Sequence, residues 1–441
     1  MADRGTLAAS IVRRLRDAGY TAYFAGGCVR DRLLGRVPED YDVATSAPPE
    51  AVRKLFARTV PVGMQFGVVL VLLGDERFEV ATFRADDAYV DGRRPSAVHF
   101  GTAEDDAQRR DFTINAMYWD PLTDEVIDLV GGRADLAAGV IRAIGDPRAR
   151  IAEDRLRMLR AVRLAARFGF TIEPATLAAI REAAATVTDM AAERIGDEIV
   201  KIVTEGRARR GFELLAETAL LDVVLPEVAA LRGVAQPPDY HPEGDVWVHT
   251  LLVLEQLPAG ASETLALGAL LHDVGKPIRA EVRDGRITFW EHEVVGAELA
   301  VAVCQRLRRS RETWERVGYL VRNHLRLTQA PAMRLATLKR LLAEDGFEEL
   351  LVLGRMDALA SHGNLRAVEF CEQKRAELRE TVRPPRLLGG DDLLAAGYPA
   401  GPLIGRILRD VADAQLEGEI TTRDEALAFV RRRFPPEPSG S

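Results

Sequence analysis

The chain has 441 residues, of which 47% are hydrophobic and 29% are charged, and its formal net charge is −8. A chain of this length is too long to fold around one hydrophobic core and indicates about three domains. No stretch approaches the roughly 18 apolar residues of a membrane span. The first residues lack a signal-peptide core and three scattered cysteines exclude a disulfide framework or a thiolate zinc site, so we expect a cytoplasmic protein without a membrane partner.

The N-terminal stretch predicts a helix, a strand and a glycine turn. Residues 1–19 carry apolar side chains four apart, as in an amphipathic helix, and the apolar run 23–25 predicts a strand. This strand stops at Gly26 and Gly27, and a helix follows to Gly35. Because glycine lets a ligand approach the backbone amides at a helix start, the turn predicts a phosphate site.

Two aspartates, Asp40 and Asp42, follow this helix. The chain after Pro38 is predicted to be extended, so side chains two apart share a face. Mg²⁺ takes a few carboxylate oxygens together with water and substrate phosphates. The pair therefore predicts metal-assisted phosphoryl or nucleotidyl transfer, and the alternative is a solvated acidic loop.

A hairpin is predicted next, with strands at 66–73 and 77–83 joined by Gly74-Asp75-Glu76. Glu79 interrupts the apolar residues of the second strand. A carboxylate in such a place is costly unless it is paired or binds a cation. Glu79 is therefore a candidate third catalytic carboxylate, and the alternative is a surface residue of an edge strand.

Gly26-Gly27-Cys28-Val29-Arg30-Asp31-Arg32-Leu33-Leu34-Gly35, followed by Asp40-Tyr41-Asp42, resembles the head of the class II tRNA nucleotidyltransferase and poly(A) polymerase family. The resemblance implies an α+β fold, in which a polymerase-beta-like nucleotidyltransferase head with a small mixed sheet and helices precedes all-α domains. It implies that Asp40 and Asp42 hold Mg²⁺, while Gly27 and Arg30 bind the nucleoside triphosphate.

The segment Arg84–Arg109 is polar and predicts a long mobile loop. The string from Arg109 to Ala116 then predicts the start of a helix. Its Arg110 and Asn115 can donate to a triphosphate, and Asp111 can accept from a ribose hydroxyl. Alone it could be a capped surface helix, but the resemblance implies a nucleotide-binding motif.

Residues 141–167 hold eight arginines against three acidic residues, a local excess of +5. On a helix, residues spaced by three form a ridge beside the apolar one. Arg157 can present paired donors and Asp154 an acceptor, which suits a cytosine edge or, with fewer bonds, an adenine edge. The alternative is a solvated, salt-bridged helix face. The resemblance implies that protein side chains, rather than a nucleic-acid strand, select CTP and ATP. The ridge that would do so consists of Asp154, Arg157, Arg160 and Arg163.

A second group of polar residues surrounds the string from Leu270 to Pro277, which contains His272-Asp273. An adjacent His-Asp pair can place an imidazole nitrogen and a carboxylate oxygen on one metal. The string is similar to that of HD-type metal phosphohydrolases. The resemblance implies that a transition metal, Ni²⁺ or Mn²⁺, is bound by the ligands His249, His272, Asp273 and Asp357. It also implies that His292 and His324 lie nearby, for a second metal or the substrate. Alternatively, the HD fold persists only as a helical scaffold.

The predicted domains are a catalytic head at 1–140, a neck at 141–236 that selects nucleotides and binds RNA, an HD domain at 237–380, and a helical tail at 381–441. The tail is expected to contact tRNA, with a disordered end from Pro435. The stretch from Pro237 to Tyr240 predicts a linker.

Three activities compete within this family: complete CCA addition, partial addition of CC or A, and poly(A) synthesis. Poly(A) polymerases of the family carry Gly-Arg-Arg-Phe where this chain has Gly63-Met64-Gln65-Phe66, and a full-length Arg84–Arg109 loop is unlike CC-only enzymes. CCA addition is therefore favoured, and A-only addition stays open. From another class, the chain could be an HD phosphohydrolase that acts on RNA ends, but the presence of Asp40 and Asp42 argues against a head that only docks RNA.

Overall fold

The structure, a computed structural model, describes residues 3–62, 64–86, 98–237, 242, 244–379 and 382–435. The chain divides into two compact units, Met1–Ala229 with Arg306–Arg309 and Ala230–Gln305 with Ser310–Ser441. The division into four domains stays a prediction. Among the described residues, none of the helices has the length and hydropathy that a membrane span needs.

The first unit combines strands and helices. Its described strands are β1 (Ala22–Ala25), β2 (Asp42–Thr45), β3 (Thr59–Val60), β4 (Val68–Leu73), β5 (Glu76–Thr82), β6 (Arg84–Asp86), β7 (Val98–Phe100), β8 (Tyr118–Asp120), β9 (Glu125–Ile127), β10 (Val140–Ile141) and β11 (Thr171–Ile172). Its described helices are α1 (Arg4–Asp17), α2 (Gly27–Leu33), α3 (Pro49–Leu55), α4 (Ala103–Gln108), α5 (Gly132–Ala138), α6 (Pro147–Glu153), α7 (Arg157–Phe168), α8 (Pro174–Ala183), α9 (Ala192–Thr204), α10 (Ala208–Glu217), α11 (Leu220–Val224) and α12 (Pro226–Ala229).

A seven-stranded sheet, in the order β3-β4-β5-β2-β1-β8-β9, forms the centre of this unit. Its neighbouring strands are antiparallel except β2 and β5, which run parallel, so the predicted mixed sheet is confirmed. Ala25 at the end of β1 lies opposite Asp42 at the start of β2. This register brings the glycine turn and the first residue of β2 to the same end of the sheet.

Helix α1 covers the sheet with the apolar face that its sequence period predicts. Asp3 caps its start by accepting from the backbone N–H of Thr6. Its inward side chains are fully buried, and burial of each of the larger ones contributes roughly 1.5–3 kcal/mol. These side chains are Ala8, Ile11, Val12 and Leu15.

Helix α7 packs against α9 and α10. Leu159, Val162 and Ala166 are buried on its apolar side, as the ridge pattern predicts. The prediction that Asp154 shares this helix is wrong, because Asp154 has extended backbone and ends α6. The polar ridge of α7 therefore begins at Arg157.

Two other local predictions are wrong. The ends of the Arg84–Arg109 segment are structured, with β6 paired to β7 and α4 following, while residues 87–97 lie outside the described residues. The string after Arg109 forms only a 3₁₀ turn at Thr113–Asn115. The Asp111 side chain accepts from the N–H of Phe112, and such a local bond competes with helix formation.

The second unit is mainly helical. Its described helices are α13 (Val246–Glu255), α14 (Glu263–Leu271), α15 (Lys276–Arg279), α16 (His292–Arg306), α17 (Arg311–Asn323), α18 (Arg326–Gln329), α19 (Leu335–Ala343), α20 (Phe347–Ala360), α21 (Arg366–Glu377), α22 (Gly390–Ala395), α23 (Pro402–Glu417) and α24 (Arg423–Arg433). Its described strands form one hairpin, β12 (Glu281–Arg283) and β13 (Arg286–Thr288).

Helix α14 packs against α13, α17 and α20, which brings the ends of several helices together. Helices α22 to α24 lie in the segment predicted as a tail and have a small core of their own around Leu393, Ile407 and Val430. The predicted disordered end and linker fall mostly on residues 436–441 and 238–240, which lie outside the described residues.

Candidate functional site

A polar cleft of about 770 Å³ lies at the end of the sheet where β1 stops and β2 begins. Nine basic and six acidic side chains line it, a basic excess in an acidic chain, and such a cleft attracts polyanions. Its volume is in the range of small-molecule sites. The predicted residues that line it are Gly27, Arg30, Asp40, Asp42, Arg110, Asp111, Asn115, Asp154, Arg157, Arg160 and Arg163.

Asp42 and Glu79 lie side by side in the sheet. Because β2 and β5 are parallel with Val43 opposite Val80, the residues before them are also adjacent. The Asp42 side chain still contacts solvent, but its recessed position and then the negative charge of Glu79 raise its pKa to about 6. Crowded carboxylates of this kind fit a hard divalent cation, whose charge would offset their repulsion. Glu79 itself is not among the residues that line the cleft.

Asp40 reaches the cleft in a different way from the one predicted. It precedes β2, so it does not share a strand face with Asp42. Its side chain is 77% exposed, and its Oδ1 lies 2.9 Å from Nη2 of Arg4 on α1. Both aspartates nevertheless line the same cleft, so the structure brings the predicted pair together.

The glycine turn adopts a backbone conformation that only glycine takes up readily. Gly26 has φ 75° and ψ −131°, and it lines the cleft. A Cβ at this position would lie 3.3 Å from Nη1 of Arg110 and 3.8 Å from Oδ2 of Asp42. The bare backbone therefore leaves room for two side chains that line the cleft.

Replacing Gly26 with alanine should lower nucleotide incorporation at least about tenfold, because the new methyl group meets Arg110 in addition to straining the backbone. The strain alone costs roughly 1–2 kcal/mol of folding free energy. Gly35→Ala is the matched control, since Gly35 also has positive φ but a Cβ there meets nothing within 4 Å. Both variants should show a similar fall in melting temperature, and only Gly26→Ala should lose incorporation. Equal activities would refute the prediction.

Buried partners hold the arginines expected to bind the triphosphate. Nη1 of Arg30 donates to Oδ1 of Asn115 at 2.6 Å. Nη2 of Arg110 donates to Asp106 at 2.9 Å, and the Tyr118 hydroxyl donates to the same carboxylate at 2.8 Å. Burial would raise the pKa of Asp106, but Arg110 and Arg109 hold it below its usual value. Asp106 therefore orients Arg110, a role that the sequence did not reveal.

The residues expected to select the base are also held by neighbours. Nη1 of Arg157 lies 2.6 Å from Oε2 of Glu153, and Nη2 of Arg194 lies 3.0 Å from Oδ2 of Asp154. The carboxylate predicted to bind the ribose has a partner as well, because Oδ2 of Asp111 lies 2.6 Å from Nη2 of Arg160. Their roles toward a nucleotide stay predictions.

Four cleft cations were missed from the sequence: Arg84, Arg109, Arg167 and Lys201. Arg167 follows Arg163 by four residues and continues the basic ridge, so the pattern could have revealed it. Lys201 lies on α9 and reaches the cleft because α9 packs against α7. No local pattern signals that packing.

The second unit holds a cluster of four histidines and two aspartates, called here the HD cluster: His249, His272, Asp273, His292, His324 and Asp357. Nε2 of His249 lies 3.2 Å from Nε2 of His272 and 3.1 Å from Oδ1 of Asp357. Oδ2 of Asp273 lies 3.2 Å from Nε2 of His272 and 2.7 Å from Nζ of Lys276.

The two triads of this cluster differ from the predicted set. His249, His272 and Asp357 can converge on one ion, and Asp273, His292 and His324 can converge on another. Nε2 of His292 lies 3.3 Å from Oδ1 of Asp273 but lacks the alignment of a hydrogen bond. Buried imidazole nitrogens beside carboxylate oxygens suit transition metals.

The ionisation of two members of the cluster suits metal binding. Burial would raise the pKa of Asp273, but His272 and Lys276 hold it well below its usual value, so Asp273 is a carboxylate. Burial lowers the pKa of His324 to about 4, so His324 is neutral near pH 7 with a lone pair to offer. Both species are the forms that bind metals.

Comparisons with known proteins agree with this arrangement. The model of the poly A polymerase head domain matches residues 22–142, and that of the probable RNA and SrmB-binding site of polymerase A matches residues 169–231. The HD domain model matches residues 246–361. The three matches follow one another in the order head, RNA-binding segment and HD domain.

The CCA-adding enzyme of Streptococcus pneumoniae serotype 19F is 32% identical over 427 residues, which are 96% of this chain and 96% of that enzyme. The chain belongs to the CCA-adding enzyme family. The CCA-adding enzyme of Lactobacillus helveticus is 42% identical over 227 residues, and that match spans 51% of this chain and 56% of the relative's length.

Solved structures of CCA-adding enzymes share the fold. The Bacillus stearothermophilus CCA-adding enzyme in complex with CTP has a TM-score of 0.77 and 27% identity, with 98% of both chains covered. The Thermotoga maritima CCA-adding enzyme complexed with tRNA has a TM-score of 0.59 and 21% identity, which shows the fold alone. The predicted α+β fold with a nucleotidyltransferase head and a helical HD region is thus confirmed.

Proposed function

We propose that this chain adds CCA to the 3′ ends of tRNA, using CTP and ATP without a nucleic-acid template. The observation that carries the proposal is that two aspartates, a glycine turn and a basic ridge line one cleft of about 770 Å³. The relatives named CCA-adding enzymes, one of them solved with CTP, support the same activity. We place it in the cytoplasm, where tRNA and nucleoside triphosphates are found.

Asp40 and Asp42, with Glu79 as a third catalytic carboxylate, are proposed to hold Mg²⁺, which when bound stabilises the charge that develops on the transferred phosphoryl group. The all-oxygen donor set and the crowding of Asp42 against Glu79 suit this ion. Arg30 and Arg110 bind the triphosphate oxygens through charge-assisted hydrogen bonds. The Gly26-Gly27 turn lets the phosphates lie against the backbone.

Base selection is proposed to rest on Asp154 and Arg157, which line the cleft. A cytosine edge offers an amino donor to Asp154 and two acceptors to Arg157. Uracil and guanine would each present a carbonyl where Asp154 needs a donor. Arg160 and Arg163 add positive charge along the same ridge.

Arg157→Ala should impair the use of both CTP and ATP, and Asp154→Ala should relax discrimination against UTP and GTP. A bidentate contact is worth about 1–3 kcal/mol, so selectivity should change roughly ten- to a hundredfold in kcat/KM for single nucleotides. Arg155→Ala is the matched control, because Arg155 pairs with Asp189 and does not line the cleft. Unchanged preference in both cleft variants would remove the protein-template proposal.

One experiment separates the activities of this family. The protein is incubated with tRNA that lacks three, one or none of its terminal nucleotides, and with single labelled nucleoside triphosphates. Complete CCA addition predicts incorporation of C and then A, ending at A. Incorporation of A alone, of C alone, or of long A tails would identify a partial enzyme or a poly(A) polymerase instead.

A second activity is supported by the HD cluster. We propose that it binds a transition metal, Ni²⁺ or Mn²⁺, and hydrolyses phosphate esters at RNA ends. The convergence of buried imidazoles and carboxylates into two triads supports this. A tRNA end that carries a 3′-phosphate or a 2′,3′-cyclic phosphate has no free 3′ hydroxyl to extend, so such a hydrolase would prepare the substrate of the nucleotidyltransferase.

A further inference from the structure

The HD cluster opens into a cavity of about 420 Å³ that also contains an aromatic residue with no role in hydrolysis. Trp290 lines this cavity together with Asp273, His292 and Asp357. Trp290 is 68% exposed, although an indole is among the largest apolar groups that folding can bury. An exposed aromatic ring that lines a cavity beside charged groups is typical of a ligand-binding surface.

The neighbouring hairpin extends this apolar surface. Ile287 of β13 lines the cavity, and Val282 lies directly opposite it on β12. Because opposite residues of a hairpin share a face, Val282, which is 73% exposed, continues the surface of Ile287. Trp290, Ile287 and Val282 thus form an apolar rim beside the charged HD cluster.

The backbone fixes the rim next to the metal ligands. Glu291, between Trp290 and His292, has φ 58°, a left-handed conformation that costs a non-glycine residue free energy. Such strained residues persist where the surroundings hold them, and they concentrate at functional sites. The bend starts α16 at His292 and leaves the indole of Trp290 exposed beside it.

We propose that this cavity binds the terminal nucleotide of an RNA 3′ end, with the base stacked on Trp290 and a 2′- or 3′-phosphate directed to the HD cluster. The proposal rests on the phosphohydrolase function proposed above. Inorganic phosphate, which has no base, would bind only through the metal site and Lys276, which also lines the cavity. Stacking on an indole adds affinity for any base, since every base has a π face. The ligand class is therefore a terminally phosphorylated ribonucleotide without base preference.

The test is a calorimetric titration of the full chain with uridine 2′-phosphorothioate, a slowly hydrolysed probe. The buffer contains Mg²⁺, Mn²⁺ and saturating CTP, so that the HD cluster holds its proposed metal and the head cleft is filled. Trp290→Ala should weaken binding of this probe about five- to a hundredfold and leave the affinity for inorganic phosphate within twofold. Trp290→Phe should keep the affinity within about threefold and lose the quenching of tryptophan fluorescence. Trp314→Phe, outside the cavity, should keep both.

Two results would overturn the inference: equal probe affinity in the parent chain and Trp290→Ala, or no measurable probe binding by the parent chain. Phosphate release is measured separately, with uridine 2′-phosphate and Mg²⁺, Mn²⁺ or Ni²⁺. Trp290-dependent binding without phosphate release would uphold the nucleotide site and refute the hydrolase. If the parent chain and Trp290→Ala release phosphate equally and bind the probe equally, the hydrolase is upheld and the nucleotide site is refuted.

Discussion

Replacing Asp42 with alanine should abolish nucleotide incorporation into tRNA while the protein keeps its fold. Metal-assisted charge stabilisation at a transferred phosphoryl group is worth several kcal/mol, which corresponds to roughly a thousandfold or more in rate. The fold should persist because Asp42 lies next to Glu79, whose charge disfavours its ionised form. Removing one of two crowded carboxylates relieves repulsion, so the melting temperature should stay the same or rise slightly.

Asp42→Asn tests the charge without changing the shape, and it should be as inactive as the alanine variant. Asp40→Ala should also abolish incorporation, since Asp40 lines the same cleft. The matched control is Asp75→Ala in the exposed turn between β4 and β5, which should incorporate nucleotides normally. Single-turnover incorporation of labelled CTP provides the measurement. Near-normal rates for either the Asp40 or the Asp42 variant would show that the metal site has been misplaced.

The double variant His272→Ala, Asp273→Ala should lose bound metal and all hydrolysis of nucleoside 2′-phosphates and 2′,3′-cyclic phosphates. Each triad of the HD cluster loses one ligand, so neither can hold its ion. Elemental analysis measures the metal, and phosphate release with Ni²⁺, Mn²⁺ or Mg²⁺ measures turnover. Nucleotide addition should be retained, because its proposed residues lie in the first unit.

A milder variant protects this test from a folding defect. Loss of Asp273 leaves Lys276 buried without its carboxylate partner, which is costly to stability. Asp357→Asn keeps the shape of a ligand of the first triad and should also reduce metal content and hydrolysis. His362→Ala, an exposed histidine outside the cluster, should change neither. If the unmodified chain holds no metal and releases no phosphate, the HD region is a helical scaffold.

Features encoded in local sequence were predictable. The apolar run before Gly26 and the basic ridge of α7 follow from the periods of strands and helices, and the structure places both as expected. The helix predicted after Arg109 failed because a local carboxylate bond at Asp111 competes with helical hydrogen bonding. Periodicity alone does not record such a bond.

Features that depend on non-local pairing were not predictable. Glu79 was a candidate catalytic carboxylate from its own strand, but the parallel pairing of β5 with β2 that places it beside Asp42 has no local signal. Lys201 reaches the cleft through the packing of α9 on α7. Trp290 carries no motif, and only its exposure beside the HD cluster draws attention to it.

The ion pair between Arg4 and Asp40 makes a side chain of the N-terminal helix compete with the metal ion for the Asp40 carboxylate. Arg4 offsets part of the negative charge that attracts a divalent cation to Asp40, so metal binding to this carboxylate weakens the ion pair. Both partners are solvent-accessible, and such pairs are worth at most about 1 kcal/mol, which reduces metal affinity about fivefold or less. Rising salt screens the ion pair between Arg4 and Asp40. The Mg²⁺ concentration that half-saturates the site should therefore depend on ionic strength, as on an ion-exchange resin.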